Sequence, residues 1–262
     1  MAIYGVLGDI HGNREALTAA LERLRDCGID RVLCVGDLVG YNADPDACVE
    51  LLRGRGALCI AGNHDLIGTG LLGFERCSNK AMHSLKRTRH ALRPETTAYL
   101  RALPSHRVIE DRFLLTHGGV RDVQQYMTRP RHFLQNVGYL RRDFPGTRIC
   151  FFGHTHEQRV FEIDADTVHE LGADGRAMRL DPRREYFLNP GSVDASRKHV
   201  HKLAEYAIFD SSSLTLEFHR VPYDDAATER KAEAGGYRID RWRDRLYDVQ
   251  RRLIGPRHET AI

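Results

Sequence analysis

Gly8-Asp9-Ile10-His11-Gly12 follows directly on the apolar run Ile3-Tyr4-Gly5-Val6-Leu7, and an amphipathic stretch begins at about Asn13. A strand, a glycine-framed polar turn and a helix, in that order, place side chains at the carboxyl edge of a parallel sheet, where open α/β folds bind ligands. Asp9 and His11 stand two residues apart, so an extended turn can point both at one ligand. A carboxylate together with an imidazole suits a borderline divalent metal. Taken alone, Asp-x-His reads equally well as a helix cap beside a turn residue. The recurrence of this construction along the chain decides between the two.

Working outward, residues 14–25 put Leu17, Leu21 and Leu24 on one helical face, and Cys27-Gly28 ends that helix. Val32-Leu33-Cys34-Val35 is a wholly apolar strand of the kind buried on both faces, and it stops at Gly36-Asp37. Pro45 opens the next helix, with Cys48, Leu51 and Leu52 inward. Ala57-Leu58-Cys59-Ile60 is a third such strand, ending in Gly62-Asn63-His64-Asp65. Three β-turn-α units in succession imply a layered α/β architecture with a mainly parallel sheet.

Past Leu66 the texture changes. Helices are predicted over 75–92 and 95–103, making a helical insert at about 66–103. Its run Lys80, Lys86, Arg87, Arg89, Arg93 reads as a solvated face or as the rim of an anionic substrate site. Strands return at 107–109 and 113–116, the second ending in His117-Gly118-Gly119, and a helix is predicted over 131–142. Ile149-Cys150-Phe151-Phe152 then runs into Gly153-His154-Thr155-His156. The rest is hairpin-like: strands at 159–163 and 168–171, a turn at Asp174-Gly175, a strand at 185–188 ending in Asn189-Pro190-Gly191-Ser192, and strands at 205–209 and 214–221. Ile239, Trp242, Leu246, Val249 and Leu253 recur at spacings of three and four, an amphipathic helix at about 238–254. Packing on the chain's own sheet is the expectation for it, with a subunit contact as the alternative. No linker or repeat interrupts the chain, so one domain over 1–262 is expected.

Composition bounds the class. The 262 residues are 42% hydrophobic and 29% charged, as in a soluble globular protein. No stretch approaches the ~18 apolar residues of a membrane helix. The first strand begins at once, without a secretory signal, so a cytoplasmic location is expected. The six cysteines form no close pairs and read as reduced core residues. A net charge of +3 gives no reason to invoke nucleic acid. Histidine is the informative excess, at 14 residues.

Five strand ends therefore carry Asp9 with His11, Asp37, Asn63 with His64, His117, and His154 with His156. If the strands share one sheet, these side chains converge on one edge. Each has a bland reading as cap or turn former, but chance explains the whole set poorly.

In this order, Asp-x-His, Gly-Asp, Gly-Asn-His-Asp, a lone His after a strand, and Gly-His-Thr-His resemble the calcineurin-like metallophosphoesterases, over roughly residues 1–220. The run from Gly36 to Pro45 and Asn189-Pro190-Gly191-Ser192 are most similar to the small bacterial members of phosphodiesterase type. The resemblance implies an α/β fold, a four-layer αββα sandwich of two mixed β-sheets flanked by helices. It implies that Asp9, His11 and His156 hold one metal, that Asn63, His117 and His154 hold a second, and that Asp37 bridges both. His64 would face the substrate, forming the catalytic group with Asp37 and Asn63. Two divalent metal ions are implied, Mn²⁺ first, with Fe, Co, Ni, Zn or Mg as alternatives. The implied reaction is in-line attack by a metal-bridging hydroxide on a small phosphodiester or phosphomonoester, nucleotide-derived substrates included, with His64 assisting the leaving oxygen.

The ligand chemistry agrees. Oxygen and nitrogen donors without thiolate suit five- or six-coordinate Mn²⁺, Fe or Co better than a closed zinc site. One departure stands out. The protein serine/threonine phosphatase branch follows its second motif with Asp-Arg-Gly, where this chain has Gly40, Tyr41 and Asn42. Asp65 and Asp44 are then the candidates to support His64, Arg121 is the candidate phosphate contact, and phosphoprotein specificity is not expected. The alternatives are a non-catalytic metal-binding scaffold on the same fold, a protein phosphatase and a nuclease. The complete ligand set argues against the first and the modest charge against the last. A small phosphorylated substrate is the expected partner, without membrane or nucleic acid; the oligomeric state stays open.

Overall fold

The first three strands, β1 (Ile3–Leu7), β2 (Arg31–Cys34) and β3 (Leu58–Cys59), pair in parallel, with Tyr4 opposite Arg31 and Leu33 opposite Leu58. Helices α1 (Arg14–Asp26) and α2 (Pro45–Gly54) make the crossovers. The computed structural model describes residues 2–172, 175–194 and 202–254; Asp174 of the expected turn and the side chain of Leu253 lie outside it. Next come α3 (Asn63–Gly68), α4 (Asn79–Ala91) and α5 (Pro94–Arg101), which occupy the expected insert. They are followed by β4 (Arg107–Ile109), β5 (Phe113–Leu115), α6 (Pro130–Asp143) and β6 (Ile149–Phe151). The remainder is β7 (Gln158–Asp164), β8 (Thr167–Leu171), β9 (Met178–Arg179), β10 (Glu185–Pro190), β11 (Leu203–Asp210), β12 (Thr215–Pro222), α7 (Asp225–Ala234) and α8 (Arg241–Ile254).

Among the described residues these strands form two six-stranded sheets, in the orders β3-β2-β1-β11-β12-β9 and β4-β5-β6-β10-β7-β8. The first three strands are parallel as the local pattern implies, and each sheet is mixed, as the family resemblance implies. In the first, β11, β12 and β9 join antiparallel. In the second, β5, β6 and β10 are parallel while β4, β7 and β8 are antiparallel. Tight connections such as those between β7 and β8, or β11 and β12, can only return a strand antiparallel. The strand ends that carry the candidate ligands thus come from two sheets.

Apolar strands make four layers possible, because the pleat gives each strand two faces to bury. Tyr4, Val6, Leu33 and Val35 meet Phe113, Leu115, Phe151 and Leu188 between the sheets. The Phe209 ring sits edge-on to Phe113 and Phe151, with centroids 5.1 and 5.2 Å apart. The opposite face of the first sheet takes Leu17, Leu21 and Leu24 of α1 with Cys48 and Leu52 of α2. The outer face of the second sheet takes Phe133, Val137 and Leu140 of α6. The result is the αββα sandwich. Five cysteines are buried; Cys27 is exposed, correcting its reading as a core residue. No helix among the described residues is long and apolar enough to cross a membrane.

The terminal helix departs from expectation. The outer face of the first sheet is already covered, so α8 docks on α4 through its polar side. Asn79 Nδ2 donates to Asp244 Oδ1 at 3.0 Å, and Lys86 Nζ lies 4.8 Å from the Tyr247 ring centroid. Trp242, at 71% exposure, and Val249, at 51%, face solvent, so the stripe does not pack on the chain's own sheet. Among the described residues α8 is held by the Asn79 amide, the Lys86–Tyr247 contact and the His83–Tyr247 ring contact, so truncation after Asp240 should cost only about 2 kcal/mol. A thermal melt should show Tm lower by about 4–8 °C. A fall beyond about 15 °C would show that the helix covers core after all.

Candidate metal centre

Where β1 stops, Asp9 and His11 adopt φ of 52° and 54°; Asp37 after β2 has 56°, and His154 and His156 after β6 have 67° and 59°. The left-handed conformation costs a non-glycine residue roughly 1–2 kcal/mol, and it persists only where neighbours over-determine it. Here they do. Ile10 N and His11 N both donate to the Asp37 carbonyl at 2.9 Å, and Asp9 N donates to Gly36 O at 3.1 Å. His154 N donates to both Asp9 carboxylate oxygens, at 3.1 and 3.0 Å. Ser192 Oγ donates to Asp9 O at 2.9 Å, and Asn189 Nδ2 donates to Gly153 O at 3.0 Å. The Asn-Pro-Gly-Ser segment at the end of β10 thereby ties the two ligand-bearing loops together across the sandwich.

All eight sequence-predicted residues come together, and none is more than 6% exposed. His11 Nε2 lies 3.1 Å from His156 Nε2, with Asp9 Oδ1 at 3.9 Å from the first and 3.5 Å from the second. Asp37 Oδ2 lies 3.8 Å from His11 Nε2 and 3.2 Å from His117 Nε2. Asn63 Oδ1 lies 2.9 Å from His117 Nε2, and the His154 ring centroid is 5.2 Å from that of His117. The potential ligand atoms of Asp9, His11 and His156 lie within 4.8 Å of one another, as do those of Asp37, His117 and His154. Asp37 stands between the two groups.

Do these residues fit metal ions? His117 Nδ1 is 2.8 Å from the Val35 carbonyl, so the ring hydrogen belongs there. The Nε2 lone pair then faces Asn63 Oδ1 and Asp37 Oδ2, two further acceptors. Three converging acceptors need a cation among them, or a proton on Nε2. His154 Nε2 is buried without a hydrogen-bond partner. The donor set fits divalent metal.

Charge follows the same logic. Burial works against the Asp37 carboxylate, yet the imidazoles of His117, His64 and His11 hold its pKa well below the usual range. Burial likewise opposes charge on His117, but Asp37 lifts that imidazole to about 9. Burial, and then the charge on His117, push His154 down to about 3.

His64 is the second residue of α3 and donates its backbone N–H to Asp37 Oδ1 at 2.8 Å. Its ring packs against Tyr41 and His11, centroids 4.8 and 4.5 Å away. It lines a 280 Å³ cavity with Asn63, His154, His156 and Arg76. Its ring nitrogen also falls within 4.8 Å of ligand atoms of His11 and Asp37, so geometry alone allows it as a ligand. Close approach explains two glycines. A Cβ on Gly62 would sit 2.1 Å from Asp37 Oδ1, and one on Gly40, at φ +130°, would sit 2.3 Å from His64 Nδ1.

Three sequence expectations are corrected. Asp65 accepts from Leu38 N, Val39 N and Gly62 N at 2.9, 3.1 and 2.9 Å, so it pins the Asp37 and Asn63 loops instead of holding the His64 ring. Burial, then the charge on Asp37, raise its pKa to about 7. Asp44 pairs with Lys231 at 2.7 Å. Arg121 forms a two-pronged ion pair with Asp143 at 2.8 Å on the surface, away from the cavity that Arg76 lines. The basic run is mostly spent within the fold: Arg93 pairs with Glu50 and Asp46, Arg89 donates to the Ile67 carbonyl, and Lys86 lies over Tyr247. Sequence reasoning missed Arg76 and Tyr126, whose ring lies 4.0 Å from that of His154. Both stand in irregular segments, where no periodicity marks them.

The calcineurin-like phosphoesterase superfamily domain matches residues 1–213. An uncharacterized protein of Methanocaldococcus jannaschii, MJ0912, is 30% identical over 228 residues, 85% of this chain and 88% of that one. Among solved structures, a metallophosphoesterase from Sphaerobacter thermophilus superposes with a TM-score of 0.72 at 30% identity, over 93% of this chain and 96% of its own. Hypothetical protein PH1004 from Pyrococcus horikoshii OT3 superposes at 0.69, with 18% identity over 94% and 97% of the two chains, and shows the fold alone. By its αββα sandwich, its strand-end residues and the match across most of its length, the chain belongs to the calcineurin-like phosphoesterase superfamily.

Proposed function

We propose that the protein is a dinuclear metal-dependent phosphoesterase acting on a small phosphodiester. The observation that carries this is the convergence on Asp37, from two sheets, of imidazole nitrogens and an amide oxygen, with His117 Nε2 facing both Asn63 Oδ1 and Asp37 Oδ2 so that a cation is needed among them. Asp9, His11 and His156 would hold one cation, Asn63, His117 and His154 the other, and Asp37 both. Two such cations, Mn²⁺ first, supply Lewis acidity: hydroxide at neutral pH and a counter to phosphoryl charge.

The chain's own residues do the rest. Hydrolysis joins a water oxygen to phosphorus and breaks the bond from phosphorus to the leaving oxygen, which then needs a proton. The His64 ring lines the cavity beside Asn63 and is the group to deliver that proton. Arg76 is held by both oxygens of Asp122 at 2.9 Å and by the Gln124 carbonyl at 2.9 Å. Its charge is already spent, which favours a singly charged diester over a doubly charged monoester. Reconstituted with Mn²⁺, the protein should hydrolyse bis(p-nitrophenyl) phosphate with kcat/KM at least about tenfold above that for p-nitrophenyl phosphate, about 1.4 kcal/mol. The reverse order would overturn the diester preference. Metal bound without any hydrolysis would favour the scaffold reading instead.

Metal binding should depend on pH through His117. With its pKa raised to about 9 in metal-free protein, the proton on His117 must leave before Nε2 can bind a cation. Mn²⁺ affinity at that site should therefore weaken roughly tenfold per unit as pH falls from 8.5 to 7, with proton release on binding. Calorimetry in buffers of different ionisation enthalpy measures both. Affinity independent of pH across that range would remove His117 from the ligand set.

A further inference from the structure

Helix α8 turns one side to the protein and the other away from it. Asp244 accepts from Asn79 Nδ2 at 3.0 Å. The Tyr247 ring lies 6.3 Å from that of His83, centroid to centroid, and 4.8 Å from the Lys86 ammonium. Trp242, Leu246 and Val249, four and then three residues apart, form the opposite face, and all three are exposed. Helical spacing sets Arg241 and Arg245 along one flank of that stripe and Arg243 along the other, and these too are exposed. A carboxylate and a tyrosine ring thus face α4, while an apolar ridge edged by arginines faces outward.

Charge says what that ridge meets. The 14 residues of α8 hold five arginines and two aspartates, a surplus of three positive charges. The whole chain carries a net charge of +3, so its remainder is neutral and the excess is gathered here. Arg243 pairs with Asp240 at 3.6 Å, an exposed pair that holds the arginine weakly. Lys86 and Arg87 of α4, both exposed, add to the basic surroundings. A second copy of the chain is a poor occupant: arginines would meet arginines, and three apolar side chains from each copy fall short of the ~1,200 Å² that stable interfaces bury. An anionic lipid surface suits the ridge on both counts. A tryptophan and leucine stripe bordered by arginines is the pattern of a helix lying in the lipid–water interface, with the arginine heads reaching lipid phosphates. The expected absence of a membrane partner rests on the lack of a spanning segment, and a helix lying on a surface needs none.

We propose that α8 docks the protein on anionic membrane surfaces, with Trp242, Leu246 and Val249 entering the interface and Arg241, Arg243 and Arg245 meeting lipid phosphates. The docking does not depend on the phosphoesterase reading. Trp242 is the one tryptophan of the chain, so its emission reports on this face alone. Vesicles of equal parts phosphatidylglycerol and phosphatidylcholine should shift that emission to the blue and carry the full-length protein upward in flotation. Vesicles of phosphatidylcholine alone should bind at least about tenfold more weakly, since each basic residue near an anionic surface contributes several-fold. Salt at about 0.5 M should release the protein from the anionic vesicles, because it screens those charges. Trp242→Ala should weaken flotation about tenfold or more and Arg245→Gln about fivefold. Both side chains are exposed, so an unchanged thermal melt in each variant separates lost docking from lost folding. No blue shift and no flotation with the anionic vesicles would overturn the proposal, and so would equal binding to both kinds of vesicle. A blue shift that grows with protein concentration without lipid, alongside a dimer in sedimentation, would give the face to a second copy instead. One induced as strongly by polyglutamate as by vesicles would give it to an acidic protein, and either result would overturn the membrane assignment.

Discussion

Asp37→Asn should lose both metals together and the activity with them. Asp37 Oδ2 is the atom within reach of imidazoles from both groups, 3.8 Å from His11 and 3.2 Å from His117. Asparagine keeps the shape and keeps an Oδ1 to accept the His64 N–H, so the backbone has no cause to move. What disappears is the charge that those imidazoles hold in place. Bound Mn²⁺ should fall from about two equivalents to below about 0.5, and kcat/KM by at least about 10³-fold, since each Lewis-acid contact stabilises transition-state charge by several kcal/mol. Asp9→Asn, by contrast, should empty one site. Loss of a single equivalent in Asp37→Asn would mean that Asp37 serves one site and that the bridge lies elsewhere.

The second large effect concerns His64 and should depend on the leaving group. A nitrophenolate departs without help, whereas an alkoxide such as a ribose oxygen needs a proton as the bond to phosphorus breaks. General acid catalysis is worth ~10²–10⁴-fold. His64→Ala should keep near-normal metal content, lose an amount in that range on an alkyl or ribosyl diester, and lose far less on a nitrophenyl diester. Loss of metal would show that His64 is a ligand, as its position within reach of His11 and Asp37 allows. Equal loss on both diesters, with metal intact, would assign His64 to orienting the phosphate.

The candidate site was legible because each of its residues ends an apolar strand, and apolar strands bounded by glycine are a local signal. The division into two sheets was not legible from the residues alone. β11 lies beside β1 although some 200 residues separate them, a pairing that no local pattern encodes. Helix α7 escaped notice because Asp-Ala-Ala-Thr-Glu-Arg-Lys-Ala-Glu-Ala carries no large apolar stripe; it is held instead by Lys231 to Glu15 and Asp44. Asp65 was misread although a local rule covers it. Three residues past Gly62 at the start of α3, an acid reaches back to the cap N–H, and Asp65 does so at 2.9 Å. The stripe of α8 shows the opposite failure: periodicity finds the helix, but not what its apolar face meets.

Anomalous diffraction from crystals soaked in Mn²⁺ tests the dinuclear centre most directly, because it locates metal without relying on activity. The expected result is two peaks about 4 Å apart, flanking Asp37. One should lie among Asp9, His11 and His156, and the other among Asn63, His117 and His154. A single peak, or peaks away from Asp37, would contradict it.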